Sequence, residues 1–159
     1  AKFQKFAAHK AFETAEADHS AAGWSKVKFR ERYTRHVKAL IAVGSGQGQD
    51  SEVGLKTEFV ALTNPYGSNF DNSMKIEVFL DGAPRVDAQV EVFDRAPDDS
   101  VTITLYRTDA SGTATIPVQP GHAYLFDAVT LRPAPEASAE ENALVWETYW
   151  AALTFAVPE

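Results

Sequence analysis

The stretch that most constrains the fold is the alternation in Thr113–Val118. Ala114, Ile116 and Val118 alternate with Thr113, Thr115 and Pro117, the period of a half-buried strand. Reversals bracket it. In Asp109-Ala-Ser-Gly112 the Asp caps backbone two residues on, and the Gly tolerates a positive φ. Gln119-Pro-Gly121 makes the second reversal, and a longer strand leaves it toward Leu131. A chain organised around turn, strand, turn, strand builds its core from sheets.

Further strand signals precede and follow this unit. Tyr33, Val37, Ala39, Ile41 and Val43 share one parity, with Arg35 the exception, and are expected to face the core. Strands are also expected over 55–62, 74–80, 86–93, 101–106 and about 145–157. The turn-formers between them include Asn64-Pro-Tyr-Gly67, Asp81-Gly82 and Ala96-Pro-Asp-Asp-Ser100. About eight strands at this spacing predict a mainly β, antiparallel β-sandwich of the immunoglobulin/transthyretin-like kind. No strand–helix alternation points to a parallel sheet.

Residues 2–17 predict an N-terminal amphipathic helix. Phe3, Phe6, Ala7, Ala8, Ala11, Phe12 and Ala15 lie on its apolar side. The expected organisation is this helix within residues 1–23, packing on a single sandwich domain over 24–159. Length fits one domain of 159 residues with a true core. Net charge of −7 and the absence of a Lys/Arg run argue against nucleic-acid binding. No apolar run approaches the length of a membrane helix, so no membrane insertion is expected. The sequence opens directly into the helical pattern without a leader, and Ala1 reads as a processed or trimmed start.

With no Cys, a transition-metal site needs His and carboxylates. His9, Glu13 and Glu16 fall within about 60° on the predicted helix, where they form either a cation clamp or a solvated face beside Lys2 and Lys5. His122 is the other metal candidate. Asp127 falls on the more apolar side of its strand and needs a partner, for which Arg35 and Arg132 are available. Glu147 interrupts the apolar parity of Val145, Tyr149, Ala151, Leu153, Phe155 and Val157 in the same way. Asp127, Glu147 and Arg35 are therefore read as buried structural polar groups. Trp146 and Trp150, with Tyr124 and Phe126, offer an aromatic surface. It is either a ledge for a sugar or a layer covered by the helix, a second copy or another segment. No nucleophile elbow, zinc-binding helix or phosphate loop occurs, so an enzyme is not expected.

Two resemblances add to this reading. Leu80-Asp-Gly-Ala-Pro84, Ala88-Gln-Val-Glu-Val92, Thr108-Asp109 with Gly112, and Pro120-Gly-His-Ala-Tyr124 resemble transthyretin-like modules that serve as regulatory or adhesin-stalk domains. A longer match covers Phe29-Arg-Glu-Arg-Tyr-Thr-Arg-His-Val-Lys-Ala-Leu-Ile-Ala-Val-Gly44, Asn64-Pro65, Tyr124-Leu-Phe-Asp-Ala-Val-Thr-Leu-Arg-Pro133, Trp146, and Trp150 through Pro158. It resembles a family of exported bacterial proteins of unknown function, described as a periplasmic component of nickel/cobalt uptake. That resemblance implies a periplasmic location and nickel or cobalt as the metal. The implied partner is a membrane transport component or a missing N-terminal part. The chain is similar to the rear part of such a protein, and a homodimer is a further expectation. The alternative is a structural or adhesion-type module, or a sugar-binding module using the aromatic face.

Overall fold

A computed structural model describes residues 2–159. Two short helices, α1 (Lys2–His9) and α2 (Ala15–Ala21), precede the strands β1 (Arg30–Ala39), β2 (Thr57–Ala61), β3 (Ser73–Leu80) and β4 (Ala83–Pro84). The chain continues as β5 (Gln89–Arg95), β6 (Val101–Arg107), β7 (Thr113–Pro117), β8 (Ala123–Pro133) and β9 (Leu144–Ala156). The protein is mainly β, with two sheets. One has the order β1-β9-β8-β5-β6, and the other joins β2, β3 and β4, with β7 also paired to β3.

The single helix expected over 2–17 is broken. Ala11 takes a left-handed φ of 59°. Phe12 N–H reaches back to the Ala7 carbonyl at 2.8 Å, the six-residue closure that ends helices. The cause is apolar: the reversal brings Phe12 back to the cluster that already holds Ala7 and Ala15.

The strands expected to be antiparallel throughout include one exception. Asn142 N–H bonds the Lys28 carbonyl and Arg30 N–H bonds that of Ala143, while farther on Leu40 N–H bonds that of Thr154. Partner numbers rise together, so β1 lies parallel to β9. No hairpin joins these two strands, so no turn dictates their direction.

Compactness divides the chain into two units, and β1, β8 and β9 contribute residues to both. The first holds residues up to Thr34 with Val129–Tyr149. Its core is aromatic. Trp146 stacks on Phe3 at 5.7 Å between centroids and meets Trp24 edge-on at 5.1 Å. Phe12, Phe29 and Leu131 pack around Val145 and Trp146.

The second unit holds Arg35–Ala128 with Trp150–Glu159. Met74, Ile76 and Val78 of β3 and Ala114 and Ile116 of β7 supply one side of its core. Val90 and Val92 of β5, Tyr124 and Phe126 of β8, and Ala151, Leu153 and Phe155 of β9 supply the other. The two sheets thus close on one sandwich-like core. The alternation expected for β3, β7 and the last strand from Ala151 on is the one observed, whereas Glu91 in β5 and Trp146 and Thr148 in β9 are buried on the opposite parity.

β1 reverses the sequence expectation. Val37 is 60%, Ile41 79% and Val43 83% exposed, while His36, Lys38 and Leu40 turn inward. Tyr33, in the first unit, is exposed too. The reason is a charge. Lys38 reaches Asp50 at 2.8 Å and the fully buried Glu58 at 3.5 Å, and it also donates to the carbonyls of Ser51 and Phe59. Glu58 in turn accepts N–H bonds from Val53, Gly54 and Leu55. A lysine captured by two carboxylates fixes which face of the strand looks inward, and the apolar face is left in water.

Candidate functional site

In the second unit, the loop after β1 and the turn after β2 enclose a cleft of about 270 Å³. Ala39, Leu40 and Ile41 form one wall, with Gly46–Asp50 and Asn64–Tyr66 lining the rest. Asn64 builds it. Its amide donates to the carbonyls of Gly46 at 2.8 Å and Gly48 at 3.0 Å, while its oxygen accepts from Tyr66 N–H at 2.9 Å. Tyr66 OH donates to the Leu40 carbonyl at 2.7 Å, and burial pushes its phenol up. A glycine loop pinned by the Asn64 amide is a preorganised surface, with exposed Ile41 among its lining residues. The turn at Asn64-Pro-Tyr-Gly67 is legible in the sequence, but its closure on the glycine loop is not, because the bonds span 16 and 18 residues.

His122 lies at another edge of this unit. Its Nδ1 sits 2.6 Å from Asp94, and both side chains are mostly buried. The structure supplies Asp94 from β5 as the carboxylate beside His122. Ser100 holds the Asp98 carboxyl below the usual range, with a smaller contribution from the His122 charge. Asp127 is buried and stands opposite Glu91, another buried carboxylate, in the β5–β8 register.

His9, Glu13 and Glu16 do not share a helical face. His9 ends α1, Glu13 lies in the reversal, and Glu16 opens α2, where Gln4 donates to it at 2.6 Å. The helix break is the reason. His19, in the same unit, is the buried histidine: Trp146 Nε1–H donates to its Nδ1, and its Nε2 faces the Ser25 carbonyl, each at 3.1 Å. Both ring nitrogens are thereby occupied. Among the described residues, no three His, Asp or Glu side chains converge as metal donors.

The four aromatic residues do not form an open ledge. Tyr124 and Phe126 sit in the core of the second unit, 2% and 0% exposed. Trp146 is buried in the aromatic cluster of the first. Trp150 remains half-buried, with the Arg35 guanidinium 4.7 Å above its ring. Sequence parity had placed Tyr124 and Phe126 outward. The stacking of Tyr124 on Phe155 at 5.4 Å, with Phe155 meeting Phe126 edge-on, selects the inward face instead.

Burial pushes the Tyr124 phenol up to about 12 from 10.0, opposed by the Gln119 N–H that its oxygen accepts. A raised phenol stabilises the fold fully below the unfolded value and loses that contribution as pH rises through the folded one. Absorbance titration at the tyrosinate band should show a late step centred at about 12. Tyr124→Phe should remove that step; its survival would assign it elsewhere.

Glu147 is 4% exposed and anchors an ion network in the first unit. Arg32 grips its Oε1 through Nε at 3.0 Å and through a second guanidinium nitrogen. Arg132 Nε lies 3.3 Å from Oε2, and Tyr149 OH donates to the same oxygen at 2.9 Å. Arg32 also reaches Glu136 at 3.1 Å. The Arg32 hydrogen bonds hold the Glu147 carboxyl below its usual range. Arg85, by contrast, has its guanidinium pushed down to about 10 by burial.

No curated protein matches this chain, and no solved structure does. Residues 2–132 match the model of the family described as a domain of unknown function, DUF4198, and the chain belongs to that family.

Proposed function

We propose that this chain is a non-enzymatic docking domain that works in the periplasm as a component of nickel or cobalt uptake. It docks a membrane transport component on the stripe of Val37, Ile41 and Val43 beside the Asn64 cleft. The observation that carries this reading is the exposure of Val37, opposite the inward Lys38 in β1, and of Ile41 and Val43 just beyond that strand. Apolar groups that share a parity and stand in water form a surface for a partner. The ion pairs at Glu58 and Glu147 serve the fold, and the resemblance across Phe29–Gly44 supports the uptake role. The two sheets closing on one core support an immunoglobulin/transthyretin-like sandwich.

The test is a chromosomal Val37→Glu, Ile41→Glu variant in the source cell grown at limiting nickel and cobalt. Both positions are exposed, so the protein should fold and accumulate normally. Cellular nickel or cobalt, measured by mass spectrometry, should fall to the level of a deletion strain. Unchanged metal content in both strains would overturn the uptake role. Loss in the deletion alone would overturn this docking surface.

A further inference from the structure

The side chains that turn β1 inward hold more chemistry than an ion pair needs. Lys38 and Asp50 are 12% and 11% exposed in side chain, and Glu58 beside them is fully buried. Lys38 Nζ lies 2.8 Å from Asp50 Oδ1 and 3.5 Å from Glu58 Oε2. It also donates to the carbonyls of Ser51 at 2.8 Å and Phe59 at 2.9 Å. Four acceptors thus surround a group that carries three protons as an ammonium. A neutral amine gives its two N–H groups to the two carbonyls, and its lone pair is left for the Asp50 carboxyl.

That carboxyl is prepared for attack. Asp50 Oδ2 accepts Ala61 N–H and Oδ1 accepts Ser51 N–H, each at 2.9 Å. Backbone donors fixed on a carboxyl oxygen stabilise the oxyanion that forms when its carbon is attacked. Glu58 is held as firmly. Its Oε1 takes the N–H groups of Val53, Gly54 and Leu55, and its Oε2 faces Lys38. Two carboxylates face one ammonium. Passing one proton from Lys38 to Asp50 leaves a neutral amine, a neutral acid and a single charge on Glu58, where three backbone N–H groups already meet it.

We propose that Lys38 and Asp50 close into an intramolecular amide, with Glu58 carrying the proton. Nζ attacks Asp50 Cγ, the N–C bond forms, and the bond from Cγ to Oδ1 breaks. Glu58 Oε2 takes one proton from the nitrogen and passes it to the departing oxygen, which already holds the proton that came from the ammonium. One water leaves, Glu58 returns to its carboxylate, and no cofactor or oxidant takes part. Proximity drives the closure, because oriented groups within one molecule react as if at about 10⁵ M or more. The chain has no Cys and so no disulfide. This bond would staple β1 to the segment that Ala61 of β2 holds, beside the Asn64 cleft that Asp50 lines.

The intact mass of the full chain, measured after denaturation, reads the bond directly. The parent should weigh one water less than its sequence, while Asp50→Ala and Lys38→Arg should show their full masses. Trypsin should fail to cut after Lys38 in the parent and should release residues 36–56 as one ring, again one water light. Glu58→Gln keeps the bulk but not the proton acceptor. Followed by mass during cell-free synthesis, it should close about a hundredfold more slowly or worse.

A folded parent at its full sequence mass overturns the proposal, whatever the variants do. So does a water loss that persists in Lys38→Arg, which would mark dehydration of Asp50 onto the Ser51 backbone. Closure at the parental rate in Glu58→Gln overturns it too, since Glu58 then carries no proton. The proposal does not rest on the uptake reading, and metal content in the source cell does not bear on it.

Discussion

Glu147→Gln lowers the unfolding free energy by about 3 kcal/mol, the cost of removing one partner from a buried ion pair. Glu147 accepts from Arg132 Nε and Tyr149 OH, and is the main partner of Arg32. Without its charge, the Arg132 guanidinium keeps the Tyr149 ring 4.7 Å away but loses its ionic contact with Glu147. Arg32→Ala costs much less, because its side chain is 51% exposed and water takes over. Urea unfolding at neutral pH measures both. Equal losses would mean that the network acts through Arg32 rather than through the buried carboxylate.

The same variant carries a pH signature. The folded-state carboxyl of Glu147 lies below the ordinary value of 4.5, so its contribution is present above that value and vanishes as pH falls through the lower one. The stability gap between parent and Glu147→Gln is therefore widest at neutral pH and closes below about 4.5. A gap that stays constant down to pH 3 would show that lost packing, not lost charge, is responsible.

Gly112→Ala costs about 3 kcal/mol, from left-handed strain together with a collision. Gly112 has a φ of +78°, and a Cβ there would stand 2.7 Å from Pro84 Cβ and 3.1 Å from Arg85 N. Its carbonyl accepts Val78 N–H at 3.0 Å, so the turn cannot move away without loosening β3. Gly23→Ala is the matched control. Its φ is +69° with open space around it, and only the left-handed strain of about 1 kcal/mol remains. Two urea midpoints separate strain from collision. If both substitutions cost the same, the approach of β4 to this turn is not limiting.

The turn around Gly112 was legible because its chemistry is local. Asp109 accepts bonds from the backbone and hydroxyl groups of Ser111 and Thr113, which hold its carboxyl far below the usual range. Each partner lies within four residues, inside the window where sequence spacing equals spatial spacing. The buried position of Glu147 was legible for a related reason, since a carboxylate within an apolar parity must find cations. Its partner Arg132 was in view as a candidate for Asp127, but Arg32 lies more than a hundred residues away in sequence.

The sequence by itself determined the mainly β character, the strands of the core, the reversal at Gly112 and the burial of Glu147. These follow from period and local turn chemistry. Only the tertiary structure decided which face of β1 and which face of Tyr124-Leu-Phe126 look inward. It also set the direction of β1 beside β9, the break at Ala11 and the pairing of His122 with Asp94. Alternation defines two faces of a strand and leaves them equivalent until a neighbour covers one. In β1 that neighbour is the pair of carboxylates Asp50 and Glu58, which draws Lys38 inward and leaves Val37 in water.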